Sequence, residues 1–177
     1  NEGNGDNEIN WAVIRNGYTG IQAESLDSNR TGKLIIHNTV IKNMSGYGIL
    51  AKQYNMEAGN VLIYDAGKQA LNLSIGNYDF RQCTFANFWN KSARNEPSVK
   101  LSNSYMSIGL DGKGTFIKGN LSNAYFGNCQ ITGSKSNEIM LDNALSTGTF
   151  NYKFDHSVIQ TPAISDIIHY PDCVKVP

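Results

Sequence analysis

The sequence predicts an all-β chain wound as a solenoid of short stacked strands. Three observations carry that expectation. Large apolar residues recur in aligned columns, the apolar positions alternate with period two, and turn residues return at intervals of 27, 22, 22, 46 and 28 residues. Sustained helical stripes at i, i+3, i+4 and i+7 are missing from the pattern.

The columns begin where two segments align without a gap: 38–49, NTVIKNMSGYGI, over 60–71, NVLIYDAGKQAL. Extended along the chain, one column reads Ile14, Ile41, Ile63, Phe85, Ile131 and Ile159. Two residues earlier stand Ala12, Thr39, Val61, Cys83, Cys129 and Ser157, all small or β-branched. Three earlier again stand Ile9, Ile36, Ala58, Phe80, Phe126 and Phe154. A second strand supplies Ile21, Ile49, Leu71, Val99 and Ile139, then Ala23, Ala51, Leu73, Leu101 and Leu141. A single coil cannot enclose a core. Parallel coils stacked at about 4.8 Å pile like residues into one interior, and a narrow cross-section needs a small column beside a large one.

Turn chemistry follows the first column. Asn16, Asn43, Asp65 and Asn87 form the expected turn ladder, because Asn accepts the left-handed conformation and its amide can bond the next coil's; Gly133 and Thr161 continue the column without the amide. The 46-residue interval exceeds one plain coil and holds two excursions, 88–96 (FWNKSARNE) and 105–119 (YMSIGLDGKGTFIKG). Such insertions form loops on one face of a solenoid. Residues 1–8 are polar and Gly-rich and read as a frayed N-terminal stub; 9–161 form the solenoid domain; 162–177, with three of the four Pro, form a C-terminal extension or cap.

Composition narrows the partners. The 177 residues carry 15 Lys+Arg against 15 Asp+Glu, which gives no basic footprint for nucleic acid. No apolar run reaches the roughly 20 residues of a membrane span. Asn occurs 22 times and Gly 17 times, which fits many tight bends on one core. Of the three cysteines, Cys83 and Cys129 fall in the small column and read as buried core residues; no CxxC or Cys/His cluster calls for zinc, and no cofactor is expected.

The stretches INWAVIRNGYTGIQAES, KLIIHNTVIKNMSGYGIL, CTFANFWN and FGNCQITGSKSNEIMLDN resemble the right-handed parallel β-helix, the pectate-lyase-like architecture. The likeness is closest to secreted and lipoprotein β-helix proteins of Gram-negative gut bacteria, and it covers about 9–161. It implies a right-handed single-stranded parallel β-helix of about five to six coils over 9–161, with further coils before it so that 1–8 are the stub of a longer β-helix, at an extracellular or outer-membrane surface. Proteins of this shape often act on or bind polysaccharides, the lyases through clustered acidic residues with Ca²⁺ and an Arg or Lys base, the hydrolases through paired Asp. Fold alone does not assign the activity.

The outward positions of the second strand are Gln22, Leu50, Asn72, Lys100 and Met140, then Glu24, Lys52, Ser74, Ser102 and Asp142. No two carboxylates meet there; Glu24 faces Lys52 and Lys100 faces Asp142, as ordinary cross-strand pairs. Asp155 and His156 are strand neighbours that should point to opposite faces, so no direct dyad is expected, while the alignment of His156 with Asn38 and Asn128 implies a turn role. Asp111-Gly112-Lys113-Gly114 reads as a turn. The surface candidate is the corner past the Asn column, where successive coils place Tyr18, Tyr47, Lys68, Trp89 with Arg94, and Lys135. Aromatic faces stack on sugar rings and cations suit acidic sugars. The expected function is a non-catalytic β-helix domain of an exported surface protein, serving as carbohydrate-binding surface, adhesin or scaffold. The alternatives are a polysaccharide lyase or glycoside hydrolase, and a module that self-associates through its open ends.

Overall fold

The structure, a computed structural model, describes residues 5–26, 31–109, 111–144, 148–162, 164 and 166–176. Of the expected segments, residues 1–4 of the stub, Leu110 of the second excursion, and Ala163, Ser165 and Pro177 of the tail lie outside the described residues. Eighteen strands follow one another along the described chain. They are β1 (Asn7–Asn10), β2 (Val13–Arg15), β3 (Thr19–Glu24), β4 (Leu34–His37), β5 (Val40–Met44), β6 (Tyr47–Gly59), β7 (Leu62–Ala66), β8 (Leu71–Arg81) and β9 (Thr84–Asn87). There follow β10 (Val99–Ser102), β11 (Ser104–Ile108), β12 (Gly114–Lys118), β13 (Leu121–Gly127), β14 (Gln130–Gly133), β15 (Ile139–Asp142), β16 (Lys153–Asp155), β17 (Val158–Gln160) and β18 (Val174–Val176).

Two large sheets, parallel throughout, form a parallel β-helix. One has seven strands in the order β2-β5-β7-β9-β14-β17-β18. The other has nine; its path runs β1-β4-β6-β8-β10-β15, with β3 on β6, β13 on β8 and β16 on β13. β6 and β8 are long because each continues through a kink at a left-handed residue, Gln53 (φ 52°) and Ile75 (φ 54°), and so serves two walls of the coil. The register reproduces the sequence columns. Ile14 pairs Ile41, Ile41 pairs Ile63, Ile63 pairs Phe85, Phe85 pairs Ile131 and Ile131 pairs Ile159. Phe80, Phe126 and Phe154 lie in register on β8, β13 and β16, with rings stacked at 5.3 and 4.8 Å. Tyr170 extends the pile, 5.2 Å from Phe154. Phe80, Phe126 and Phe154 are fully buried, as the continuous interior requires.

The corners differ in part from expectation. A left-handed residue stands three before each of the six members of the first column, Trp11, Asn38, Asn60, Gln82, Asn128 and His156, and Asp172 stands three before Lys175, the partner of Ile159, all with φ between 48° and 55°. An amide ladder runs beside it, Asn60 Nδ2 to Asn38 Oδ1 at 2.8 Å and Asn38 Nδ2 to Oδ1 of Asn10, the neighbour of Trp11, at 3.0 Å. In the expected ladder, Asn16, Asn43 and Asp65 are left-handed, and Asn43 donates to Asn16 at 3.4 Å. Asn87 is not left-handed. It points inward, buried, where its Oδ1 accepts from Ala66 N and its Nδ2 donates to Lys68 O, both at 3.0 Å. The chain runs on from Asn87 into the long excursion, so the bend moves and the amide closes the turn of the coil before it.

The tail adds a strand and one further expectation is corrected. Within the segment expected as an extension or cap, Val174–Val176 pairs with Val158–Gln160 as the seventh strand of the seven-stranded sheet. Asp172 and Cys173 then fall in the columns of His156 and Ser157. Ser74 and Ser102, expected outward, are buried. Ser74 abuts the kink at Ile75, where strict alternation stops. Ser102 stands where β10 gives way to the hairpin β11–β12, and its hydroxyl donates to Ser104 O at 2.8 Å. That hairpin is the second excursion and forms an antiparallel pair; at its tip Gly112 is left-handed and Asp111 accepts from Lys113 N at 3.1 Å. Among the described residues no helix is long and apolar enough to cross a membrane.

Candidate functional site

The corner joining the two sheets gathers the aromatic residues. Tyr18 lies between β2 and β3, Tyr47 opens β6, Lys68 links β7 to β8, and Trp89 follows β9. The Tyr18 and Tyr47 rings meet edge to face with centroids 6.3 Å apart, and Lys68 Nζ lies 5.3 Å from the Tyr47 ring centre. Glycines make the floor. A Cβ at Gly46 would stand 2.9 Å from Tyr18 Cζ, and one at Gly67 would stand 2.3 Å from Ser45 O and 3.3 Å from Trp89 Cε2. The Tyr18 and Trp89 rings therefore rest against backbone that carries no side chain. Trp89 Nε1 donates to Ser92 Oγ at 2.9 Å, and Lys91 Nζ lies 5.3 Å from the indole. The Tyr18 hydroxyl, followed by that of Tyr47, holds the Lys68 ammonium above its ordinary pKa, so it stays charged. Tyr18 and Lys68 are exposed, Tyr47 and Trp89 half-buried. Chemically this is a strip of rings with two ammonium groups, suited to apolar sugar faces and to anionic or hydroxyl substituents beside them.

The two remaining candidates are Arg94 and Lys135. Arg94 does not reach the surface: its side chain is 1% exposed and faces Glu138, which is 0% exposed. Arg94 Nη2 donates to Glu138 Oε1 at 2.6 Å and Nη1 to Oε2 at 2.9 Å, a bidentate pair. The same guanidinium donates to Asn87 O, Glu96 O and Ser134 Oγ, while Glu138 also accepts from Ser98 N and Lys135 N. Arg94 thus pins the excursion carrying Trp89 onto the next coil. Gly133 makes room for it, since a Cβ there would sit 2.1 Å from Glu138 Oε1. Lys135, two residues past Gly133 as Trp89 is two past its partner Asn87, is half-buried and lines a shallow cavity of about 360 Å³ with Asn95, Pro97 and Met140.

A second polar surface, of which the sequence reading weighed only Asp155 and His156, lies on the wall formed by β4, the end of β6, the end of β8, β13 and β16. Glu57 and Asp79 are in register on adjacent coils. Glu57 pairs with Lys33 at 2.5 Å, and Asp79 with Arg81 through two bonds of 2.9 Å. The Arg81 guanidinium lies 5.0 Å from the Tyr125 ring centre, and the Tyr125 hydroxyl donates to Asp155 Oδ2 at 2.7 Å. His156 Nδ1 lies 2.9 Å from Asp155 Oδ1, against the expectation that these neighbours diverge. Its left-handed φ of 48° breaks strand alternation and swings the ring back beside Asp155, while confirming the turn role. The Tyr125 hydroxyl first, then His156, hold the Asp155 carboxyl below its ordinary pKa. On the second strand the expected pairs form: Glu24–Lys52 and Lys100–Asp142, each at 2.9 Å. Among the described residues no group of three or more His, Cys, Asp or Glu could hold a metal ion.

Comparison of the chain with protein-family models, with curated proteins and with solved structures finds no match.

Proposed function

We propose that the chain is a non-catalytic β-helix module of an exported bacterial surface protein, and that its Tyr18–Tyr47–Lys68–Trp89 corner binds carbohydrate. The carrying observation is that three aromatic rings and a charged ammonium from four successive coils adjoin along one corner. A rigid solenoid presents such a strip in fixed register, which lowers the ordering cost of binding an extended polymer. The exported setting rests on the resemblance to secreted β-helix proteins. The test is a glycan array probed with the whole chain and with Tyr47→Ala and Trp89→Ala. Retention on carbohydrate that both substitutions abolish supports the reading; no retention, or retention unchanged in both variants, removes it.

One observation favours an enzyme as the second reading: carboxylates on adjacent coils, Glu57 and Asp79, with Arg81 beside them. Both carboxylates are already paired with cations, which weighs against a free acid or base. Turnover of a polysaccharide by the chain, lost in Glu57→Gln, would establish it.

A further inference from the structure

The polar wall contains a notch that the aromatic corner does not use. Its floor is Gly59, in register with His37 on the coil before and Arg81 on the coil after. A Cβ at Gly59 would stand 2.8 Å from His37 Nδ1, so the imidazole lies against bare backbone. The space left is about 330 Å³, with Glu57 on one side and the corner amides of Asn60 and Gln82 on the other. That volume falls at the small end of the roughly 300–1,000 Å³ of ligand pockets. Two coils on, the glycine of the same column, Gly127, is covered by the Tyr125 ring, and a Cβ there would meet Tyr125 Cε1 at 2.7 Å. The notch at Gly59 is therefore not a repeated property of the solenoid.

The residues that line it keep unused hydrogen-bonding capacity. Lys33 engages Glu57 through Oε2, leaving Oε1. Asp79 engages Nε and Nη2 of Arg81, leaving Nη1. Asn60 donates through Nδ2 to Asn38, leaving its own Oδ1. Among the described residues no hydrogen-bond partner reaches the His37 ring or the Gln82 side-chain amide. A carboxylate oxygen, a guanidinium N–H, two amides and an imidazole around one small space offer donors and acceptors together, which is what neighbouring hydroxyls require. Lys33 and Arg81 balance Glu57 and Asp79, so the local field does not select an anion.

We propose that the notch floored by Gly59 and walled by His37, Glu57, Arg81 and Gln82 binds one hydroxyl-bearing unit of a neutral saccharide. The site lies on a different wall from the aromatic corner and stands independently of it. The experiment titrates the ¹⁵N-labelled chain with cellobiose, maltose and lactose, and with galacturonic acid as the anionic comparison, following the Arg81 Nε–H and His37 amide signals. At least one neutral disaccharide shifts both signals. Its affinity falls by about tenfold in Arg81→Ala and in Glu57→Gln, the loss of one hydrogen bond to a charged group, and is unchanged in Tyr47→Ala. Both substituted side chains are substantially solvent-exposed, and unchanged far-UV circular dichroism checks that each variant is folded. The proposal is overturned if none of the three disaccharides moves the two signals, if the affinity survives in both notch variants, or if galacturonic acid binds as well as the neutral sugars.

Discussion

Removing the Glu138 side chain, as Glu138→Ala, tests how the Trp89 excursion is held. The wild-type carboxylate receives both arms of Arg94 and the backbone N–H groups of Ser98 and Lys135, in a site where neither charged side chain is more than 1% exposed. The substitution leaves the guanidinium buried with only neutral acceptors, Asn87 O, Glu96 O and Ser134 Oγ, and strands two N–H donors. Breaking one side of a buried ion pair costs about 3–5 kcal/mol, because the remaining charge stays desolvated. For a chain of this length that is a fall in Tm of roughly 6–20 °C. Thermal unfolding followed by circular dichroism, with urea titration for the free energy, measures it. The double variant Arg94→Met/Glu138→Leu, which removes both charges, should lose less than Glu138→Ala alone. A loss below about 1 kcal/mol for the single variant, or a double variant less stable than Glu138→Ala, would refute the view that the pair works as a buried clamp.

Other consequences are equally direct. Phe126→Ala removes the ring between Phe80 and Phe154 from a fully buried stack and should cost about 3–5 kcal/mol by urea unfolding; a cost near 1 kcal/mol would mean that the stack is loose. Cys83 and Cys129 are buried, and the Cys83 side chain together with burial raises the Cys129 thiol. An aromatic disulfide reagent should therefore titrate at most Cys173 in the native chain and all three thiols in denaturant; two fast native thiols would contradict this. The depressed Asp155 carboxyl contributes stability above its unfolded value of 3.8, and that contribution is lost as pH falls from there through the folded value. Tyr125→Phe removes the largest cause, so the variant should unfold in acid at higher pH than wild type, with the difference constant above about pH 5. A difference between the two that keeps changing from pH 5 to 8 would point to another group.

The interior was legible because it repeats. Every column read from the sequence, from Ile14 to Ile159 and from Ile9 to Phe154, is a line of in-register partners, since parallel stacking puts like positions atop one another. The corners were half legible. Asn38, Asn60, Asn128 and Asp172 carry the usual left-handed signature, but Trp11 and Gln82 occupy the same bend without it, the stacked neighbours fixing their backbone. The Arg94–Glu138 pair was illegible: 44 residues separate its members, and no local pattern joins them. Its trace was Gly133, the glycine in a column otherwise occupied by side chains. The seventh strand lay within the expected extension or cap without being singled out, because the prolines around it interrupt the pattern, although Val174-Lys175-Val176 alternates as a strand does. The polar wall was legible only in part: Asp155 and His156 stood out in the sequence, but Glu57, Asp79 and Arg81 join them as one surface only when the coils superpose.

The measurement closest to the central claim is a set of spin-label distances along one outward column of the seven-stranded sheet. Val13, Gln130 and Val174 occupy equivalent positions on β2, β14 and β18, four and six strands apart, and all three are exposed. Stacking at about 4.8 Å per strand predicts backbone separations of roughly 19 Å for Val13–Gln130 and 29 Å for Val13–Val174, growing linearly with rung number. Distances that fail to grow in that order, or a Val13–Val174 separation no longer than Val13–Gln130, would contradict a single column of coils.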